Sequence, residues 1–177
     1  MKETLLTVLE NTRLADGIYR LRLAGDTSAI TAPGQFVNLK LSGFFLRRPI
    51  SVCDWENGEV TLIYKVLGHG TEAMTGMAAG TALDVLTGLG NGFDLSRSGE
   101  HPLLVGGGVG IPPLYGLARR LTAQGKRVTA VLGFNRKSEI FLAEEFRALG
   151  AEVVIATADG SAGIHGLVTD GMAAVSD

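Results

Sequence analysis

The rhythm of this chain changes about halfway along, and that change restricts the fold more than any single motif. From residue 4 to about 87 the sequence breaks into short segments separated by turn residues. Thr4–Glu10, Ile18–Leu23, Gln35–Leu41, Pro49–Cys53, Glu59–Val66 and Ala82–Leu86 all have strand character. In the fifth, Val60, Leu62, Tyr64 and Val66 share one face, Glu59, Thr61 and Lys65 fall opposite, and Ile63 breaks the polar side. Closely spaced strands with one short helix among them, about Thr71 to Met77, predict an antiparallel barrel or sandwich.

Beyond about His101, strands alternate with helices. Leu103–Val105, Arg127–Leu132 and Glu152–Ala156 have strand character; Pro113–Ala123, Glu139–Leu149 and Val168–Val175 have helical character. This alternation predicts a parallel sheet with right-handed crossovers, with ligands at the carboxyl ends of its strands. Gly106–Gly110, Gly133–Arg136 and Thr157–Gly163 fall at those ends. Three strands fall short of the roughly five or six of a full dinucleotide fold, so the second domain looks shortened. The expected organisation is a barrel over 1–98 and a partial α/β domain over 99–177. They are joined at Gly88-Leu89-Gly90-Asn91-Gly92-Phe93, whose apolar residues could pack.

Composition excludes several classes of function. Hydrophobic residues make up 46% of the 177, charged ones 19%, and the net charge is −2, so neither disorder nor a nucleic-acid-binding surface is expected. No apolar run reaches the 18 or so residues that cross a bilayer, and Met-Lys-Glu-Thr is not the start of a signal peptide. A cytoplasmic protein without membrane contact is the expectation. The single cysteine, Cys53, excludes an internal disulfide and any Cys-ligated zinc or iron–sulfur centre built by this chain alone. It reads as a small buried hydrophobe.

Three segments carry chemistry. Residues 103–113, Leu-Leu-Val-Gly-Gly-Gly-Val-Gly-Ile-Pro-Pro, run a strand through a glycine cluster into a helix start that suits phosphate. The spacing departs from G-x-G-x-x-G: after Gly106 and Gly108 the third glycine is Gly110, one place early, with Ile111 where the motif has glycine. A nucleotide site and a tight ligand-free strand-to-helix turn are both open on this segment alone. Leu46-Arg47-Arg48-Pro49-Ile50-Ser51 puts a guanidinium fork suited to pyrophosphate on a strand that Pro49 assigns to an edge or barrel opening. Ile63-Tyr64-Lys65-Val66-Leu67-Gly68-His69-Gly70-Thr71 ends a strand in Gly-His-Gly and opens a helix that Thr71 would cap. His69 is given no role. Phe44 and Phe45 suggest subunit contact or adenine packing.

In their order along the chain, Arg48-Pro49-Ile50-Ser51, Gly70-Thr71, Gly88–Phe93 and Leu104–Leu114 resemble ferredoxin-reductase-type flavoproteins. Leu46–Ser51, Val131-Leu132-Gly133-Phe134, Asp159–Gly163 and Gly166–Asp170 are most similar to the family of electron-transfer subunits of type B, NAD-dependent dihydroorotate dehydrogenase. The resemblance implies an antiparallel FAD-binding barrel followed by a shortened parallel-sheet NAD-binding domain. It implies Arg48, with Pro49 and Ile50 in its box, on the FAD pyrophosphate and Ser51 near the flavin N5 edge. The backbone of Ile63, Tyr64 and Lys65 would flank the ring and ribityl chain, and Gly70 and Thr71 would offer N–H groups to the phosphates. Gly106, Gly107, Gly108 and Gly110 would meet NAD as co-substrate. Hydride transfer needs stacking and orientation more than an acid or base, so no catalytic side chain is assigned.

The implied partner is an FMN-containing catalytic dihydroorotate dehydrogenase subunit in a hetero-oligomer, reached through FAD and a [2Fe-2S] cluster in pyrimidine biosynthesis. The four cysteines of that cluster and a late Cys-Gly-Pro segment are absent from these residues. A truncated or non-catalytic flavin-binding module, and another NAD(P)H:acceptor reductase subunit, are therefore alternatives. Asn135, Arg136 and Lys137 leave NADP open by charge, while the resemblance favours NAD.

Overall fold

The computed structural model describes residues 1–176 and divides into two compact units, one over Met1–Phe93 and one from Asp94 onward. In the first unit six strands close into a barrel: β1 (Lys2–Ala15), β2 (Ile18–Gly25), β3 (Phe36–Leu39), β4 (Arg48–Glu56), β5 (Glu59–Lys65) and β6 (Ala82–Leu89). The order around it is β1-β2-β5-β4-β3-β6, and every neighbouring pair is antiparallel. Closure removes the sheet edges that would otherwise expose unpaired backbone. Alternation fills the interior: Leu6, Val8, Leu21, Leu23, Val37, Leu39, Val52, Val60, Leu62, Tyr64 and Val85 are all buried in one cluster. Ile63, on the opposite side of β5 from that cluster, is also buried, which explains its break in the polar pattern.

The barrel's one helix, α1, spans His69–Thr75, two residues earlier than the periodicity places it. The reason lies in Thr71, which is the third helical residue and not the cap. Its hydroxyl accepts from the Leu67 and Gly68 N–H groups at 2.9 and 3.3 Å and donates to the Gly68 carbonyl at 3.0 Å, tightening the turn that enters the helix. Only Met74 of the helix enters the barrel core. Of the two apolar residues in the joint, Phe93 stays exposed yet lies against the backbone at Gly34. Gly34 has φ +90°, and a β-carbon there would stand 2.7 Å from the Phe93 ring, so ring and backbone touch only because the residue is glycine.

The second unit is a parallel sheet in the order β10-β9-β8-β7: β7 (Leu103–Gly107), β8 (Thr129–Phe134), β9 (Glu152–Thr157) and β10 (Ile164–His165). The fourth strand corrects the expectation of three. Two residues are too few to show a period, and Ile164–His165 is extended only because it pairs with Ala156–Thr157. Helix α2 covers Pro112–Ala123 and α4 covers Val168–Ser176. The helix expected over Glu139–Leu149 is reduced to α3, Ala143–Ala148, preceded by a single 3-10 turn at Lys137–Glu139. Leu142 takes φ +61°, a left-handed turn that no helix continues through, and the segment before it is extended enough for Phe141 to pack edge-on against Phe134 at 5.7 Å. Tyr115 of α2 meets Phe146 of α3 edge-on at 5.5 Å, so these helices share one face of the sheet. On the other face α4 lies close: β-carbons at Gly133 and Gly171 would stand 3.0 Å from Val168 Cβ and 2.7 Å from Val131 Cγ1.

Candidate functional site

The two adjacent arginines of the box, Arg47 just before β4 and Arg48 its first residue, are treated in opposite ways. Arg47 is neutralised: Nη1 and Nη2 meet the two oxygens of Asp84 at 2.9 and 3.1 Å, and Nη2 also reaches Glu3 at 2.9 Å. These bonds hold the Asp84 carboxyl below the usual carboxylate range, mainly through the Arg47 hydrogen bond. Among the described residues Arg48 has no carboxylate partner. Its Nη1 donates to the Leu46 carbonyl at 2.6 Å, and its guanidinium lies 5.0 Å from the centre of the Phe44 ring. Phe44 is thus spent beneath Arg48, while Phe45 is fully exposed.

Arg48 and Gly70 meet. A β-carbon at Gly70 would stand 2.6 Å from Arg48 Cζ, so the guanidinium presses on bare backbone in the first turn of α1. The remaining N–H groups of that turn have no helical acceptor by construction, and Gly68, the residue at the cap, has no side chain to supply one. A cation and a set of free donors converge here with no anion of the protein between them.

The other residues of the box and of β5 lie beside this point. The registered pairs between β4 and β5 run from Glu56 opposite Glu59 to Val52 opposite Leu62 and stop there. Beyond them the pairing of β4 with β5 is not continued: Arg48–Ser51 stay paired with β3 and Ile63–Lys65 with β2. Pro49 is exposed; Ile50 packs against the barrel cluster; Ser51 is half-buried, and its hydroxyl has no hydrogen-bond partner among the described residues. Tyr64 turns its ring inward, 1% exposed, so only its backbone is available to the gap.

In the second unit the carboxyl ends of the strands are level: Gly107 is opposite Gly133, and Phe134 opposite Thr157. The glycines of the cluster differ in use. Gly106 packs the strand on its helix, with Leu114 Cδ1 2.7 Å from where a β-carbon would be. Gly108, at φ +50°, and Gly110 have nothing within 4 Å of that position. Gly107 has only the Gly133 carbonyl, at 3.7 Å. Three of the four glycines therefore present bare backbone. Beside them, buried Thr157 bonds both the N–H and the carbonyl of Ala162, at 3.0 and 2.6 Å, and Lys137 N–H donates to Ser161 Oγ at 2.7 Å. These bonds fix the loop after β9. Arg136 pairs with Glu139 at 3.2 Å.

A metal centre does not fit these residues. Cys53 is 2% exposed on β4, and among the described residues no three His, Cys, Asp or Glu side chains assemble a ligand set. Among the described residues no helix is long and apolar enough to cross a membrane.

A scan against models of known protein families returns no match. Among curated proteins the chain is similar to the "Dihydroorotate dehydrogenase B (NAD(+)), electron transfer subunit" of Bacillus pumilus (strain SAFR-032). They are 46% identical over 178 residues, which cover 96% of this chain and 69% of that one. The protein of the same name from Fusobacterium nucleatum subsp. nucleatum is 42% identical over 172 residues, 93% of this chain and 66% of that one. Among solved structures, that of an NADH-dependent reduced ferredoxin-NADP oxidoreductase matches with a TM-score of 0.86 at 32% identity, over 97% of this chain and 63% of that one. The Amycolatopsis cytochrome P450 reductase GcoB matches with a TM-score of 0.87 at 24% identity, over 98% of this chain and 58% of that one, a likeness of fold. The chain thus spans about two thirds of its curated relatives and less than two thirds of these structures.

Proposed function

Because this chain belongs to the family of dihydroorotate dehydrogenase B (NAD(+)) electron transfer subunits, we propose that it is a flavoprotein oxidoreductase subunit that carries electrons between NAD and a partner dihydroorotate dehydrogenase through FAD held on the barrel. The observation that carries this reading is Arg48, a cation without a carboxylate, pressed onto the bare backbone of Gly70. A diphosphate supplies the missing charge and accepts from both the guanidinium and the free N–H groups of the turn. The residues therefore fit the group.

Bound FAD would supply the two-electron chemistry, taking hydride from a nicotinamide and passing electrons on. The protein's contribution is binding and orientation. Arg48 would fix the diphosphate, with Pro49 and Ile50 shaping its strand; Ser51 would offer a hydroxyl, and Ile63, Tyr64 and Lys65 the backbone of β5 beyond its last pair with β4. Gly70 and Thr71 would donate N–H groups. In the second unit Gly107, Gly108 and Gly110 would admit NAD to bare backbone, and Gly106 would keep strand and helix close enough to form that turn. NAD over NADP is supported at Arg136, whose charge Glu139 already compensates.

The partner is an FMN-containing catalytic subunit, and the compartment proposed is the cytoplasm, where a lone thiol such as Cys53 stays reduced. No electron step is assigned to an iron–sulfur centre within these residues. The test is direct. Purified protein should hold or take up FAD, NADH should bleach the flavin anaerobically, and dihydroorotate should do so only with the catalytic subunit present. A protein that remains colourless after incubation with FAD overturns the reading. FAD that NADH cannot reduce would make the chain a non-catalytic flavin-binding module.

A further inference from the structure

Strand alternation puts Leu6 and Val8 inside the barrel, and the same period would bury Glu10 as well. β1 avoids this. Its register with β2 shifts between Val8 and Glu10: Val8 stands opposite Leu23, Glu10 opposite Arg22 and Asn11 opposite Leu21. The extra residue is a β-bulge, which re-aims every side chain after it. Glu10 consequently pairs with Arg22 and Arg20 at 3.2 and 3.3 Å, while Asn11 joins the side of the buried Leu21 and Leu23.

From there Asn11 bridges two elements. Its Nδ2 donates to the Met74 carbonyl at 2.7 Å, and more weakly to Thr75 and Met77 at 3.4 and 3.5 Å. Its Oδ1 accepts from the Tyr64 hydroxyl at 3.1 Å. A carbonyl can only accept, so chemistry fixes which end of the amide faces the helix. Tyr64 is buried and stacked on Tyr19 at 5.7 Å; burial pushes its phenol up to about 12, so it donates throughout the working pH range.

Helix α1 needs such a clamp. Met74 alone of its side chains enters the core, while Thr71 tightens its entry turn and Gly70 lies under Arg48. A helix this short has little stability of its own. One apolar peg sets its depth more than its rotation, and the Asn11 bonds to its last carbonyls fix the far end.

We propose that Asn11, held by Tyr64, is a positioning residue that sets α1 so that Gly70 and Arg48 form a single anion cradle, making FAD affinity depend on an amide at the opposite end of the helix. The inference rests on the reading of Arg48 and Gly70 as the diphosphate site. It is tested on the full chain by FAD titration of Asn11→Ala, Asn11→Asp and Tyr64→Phe, each alone and with Arg48→Ala, alongside melting of the FAD-free proteins. Asn11→Ala and Asn11→Asp should weaken FAD about tenfold and Tyr64→Phe, which keeps the barrel packing, about threefold. On the Arg48→Ala background the same changes should cost less than about twofold, because the group being positioned is gone. Losses that multiply with Arg48→Ala, or folded variants that melt earlier yet bind FAD like the parent, overturn the inference and leave the site reading standing. Tyr64→Phe decides the matter if the Asn11 variants do not fold. Arg48→Ala binding FAD like the parent overturns the site reading, and the inference falls with it.

Discussion

The guanidinium of Arg48 and the backbone of Gly70 are in contact across the end of the barrel, with no room for a β-carbon between them. The two residues come from a strand and a helix with the whole of β5 between them in sequence. Arg48 has no compensating anion among the described residues, and in the proposed reading a bound diphosphate supplies that charge. A purely structural arginine would sit as its neighbour Arg47 does, against Asp84 and Glu3.

Gly70→Ala separates binding from stability. Alanine is the better helix former by about 1 kcal/mol, and the atoms its β-carbon meets are the far end of a flexible side chain. Arg48 should swing aside, leaving the melting temperature of the FAD-free protein unchanged or slightly raised, while FAD affinity falls about tenfold. Thermal melts and fluorescence titration with FAD read the two effects independently.

The arginine pair should give opposite phenotypes. If Arg48 holds the diphosphate as proposed, Arg48→Ala should cost about 1.5 to 3 kcal/mol of FAD affinity with little change in the FAD-free melting temperature. Arg47→Ala leaves Asp84 and Glu3 without their shared cation. It should lower the melting temperature by about 2 to 4 °C and leave FAD binding as it was.

Acid sensitivity follows from the carboxylates. Asp84 is held low by Arg47, and Asp26 by Lys2 and Ser28. A carboxyl whose folded value is depressed stabilises the fold above its unfolded value, about pH 4, and loses that contribution as pH falls through the folded value. The melting temperature should therefore hold from neutral pH to about 5 and decline below about 4. Asp84→Asn should melt earlier at pH 7 and decline less on acidification, so that the two curves converge at low pH.

Much of this was legible in the sequence where a local pattern sufficed. Period-2 alternation in Val60, Leu62 and Tyr64 located the barrel interior, and the change to alternating strands and helices located the parallel sheet. What was not legible depended on distant partners. Asn11 has no local signature; only the conflict of Glu10 with the Leu6–Val8 period hints at the bulge that turns it inward. Ile164–His165 is extended because β9 is beside it, and Leu142 ends a helical pattern by a backbone turn that leucine does not announce. The unequal roles of Arg47 and Arg48 appear only once Asp84 and Gly70 are placed in space.

The glycines of the second unit divide by the same criterion, and substitution should sort them. A β-carbon at Gly171 would meet Val131 Cγ1 at 2.7 Å within the buried contact of α4 and β8. There neither helix nor strand can move alone, and such overpacking costs about 1 to 3 kcal/mol. Gly171→Ala should thus lower the melting temperature without a specific effect on nucleotide. Gly110 has nothing within 4 Å of the same point and an ordinary backbone, so Gly110→Ala should melt like the parent. If Gly110 meets NAD, its methyl group occupies space the dinucleotide needs, and the NADH concentration for half-maximal flavin reduction should rise about tenfold. Unchanged NADH dependence in a normally folded Gly110→Ala protein would remove that residue from the nucleotide path and leave the cluster a structural turn.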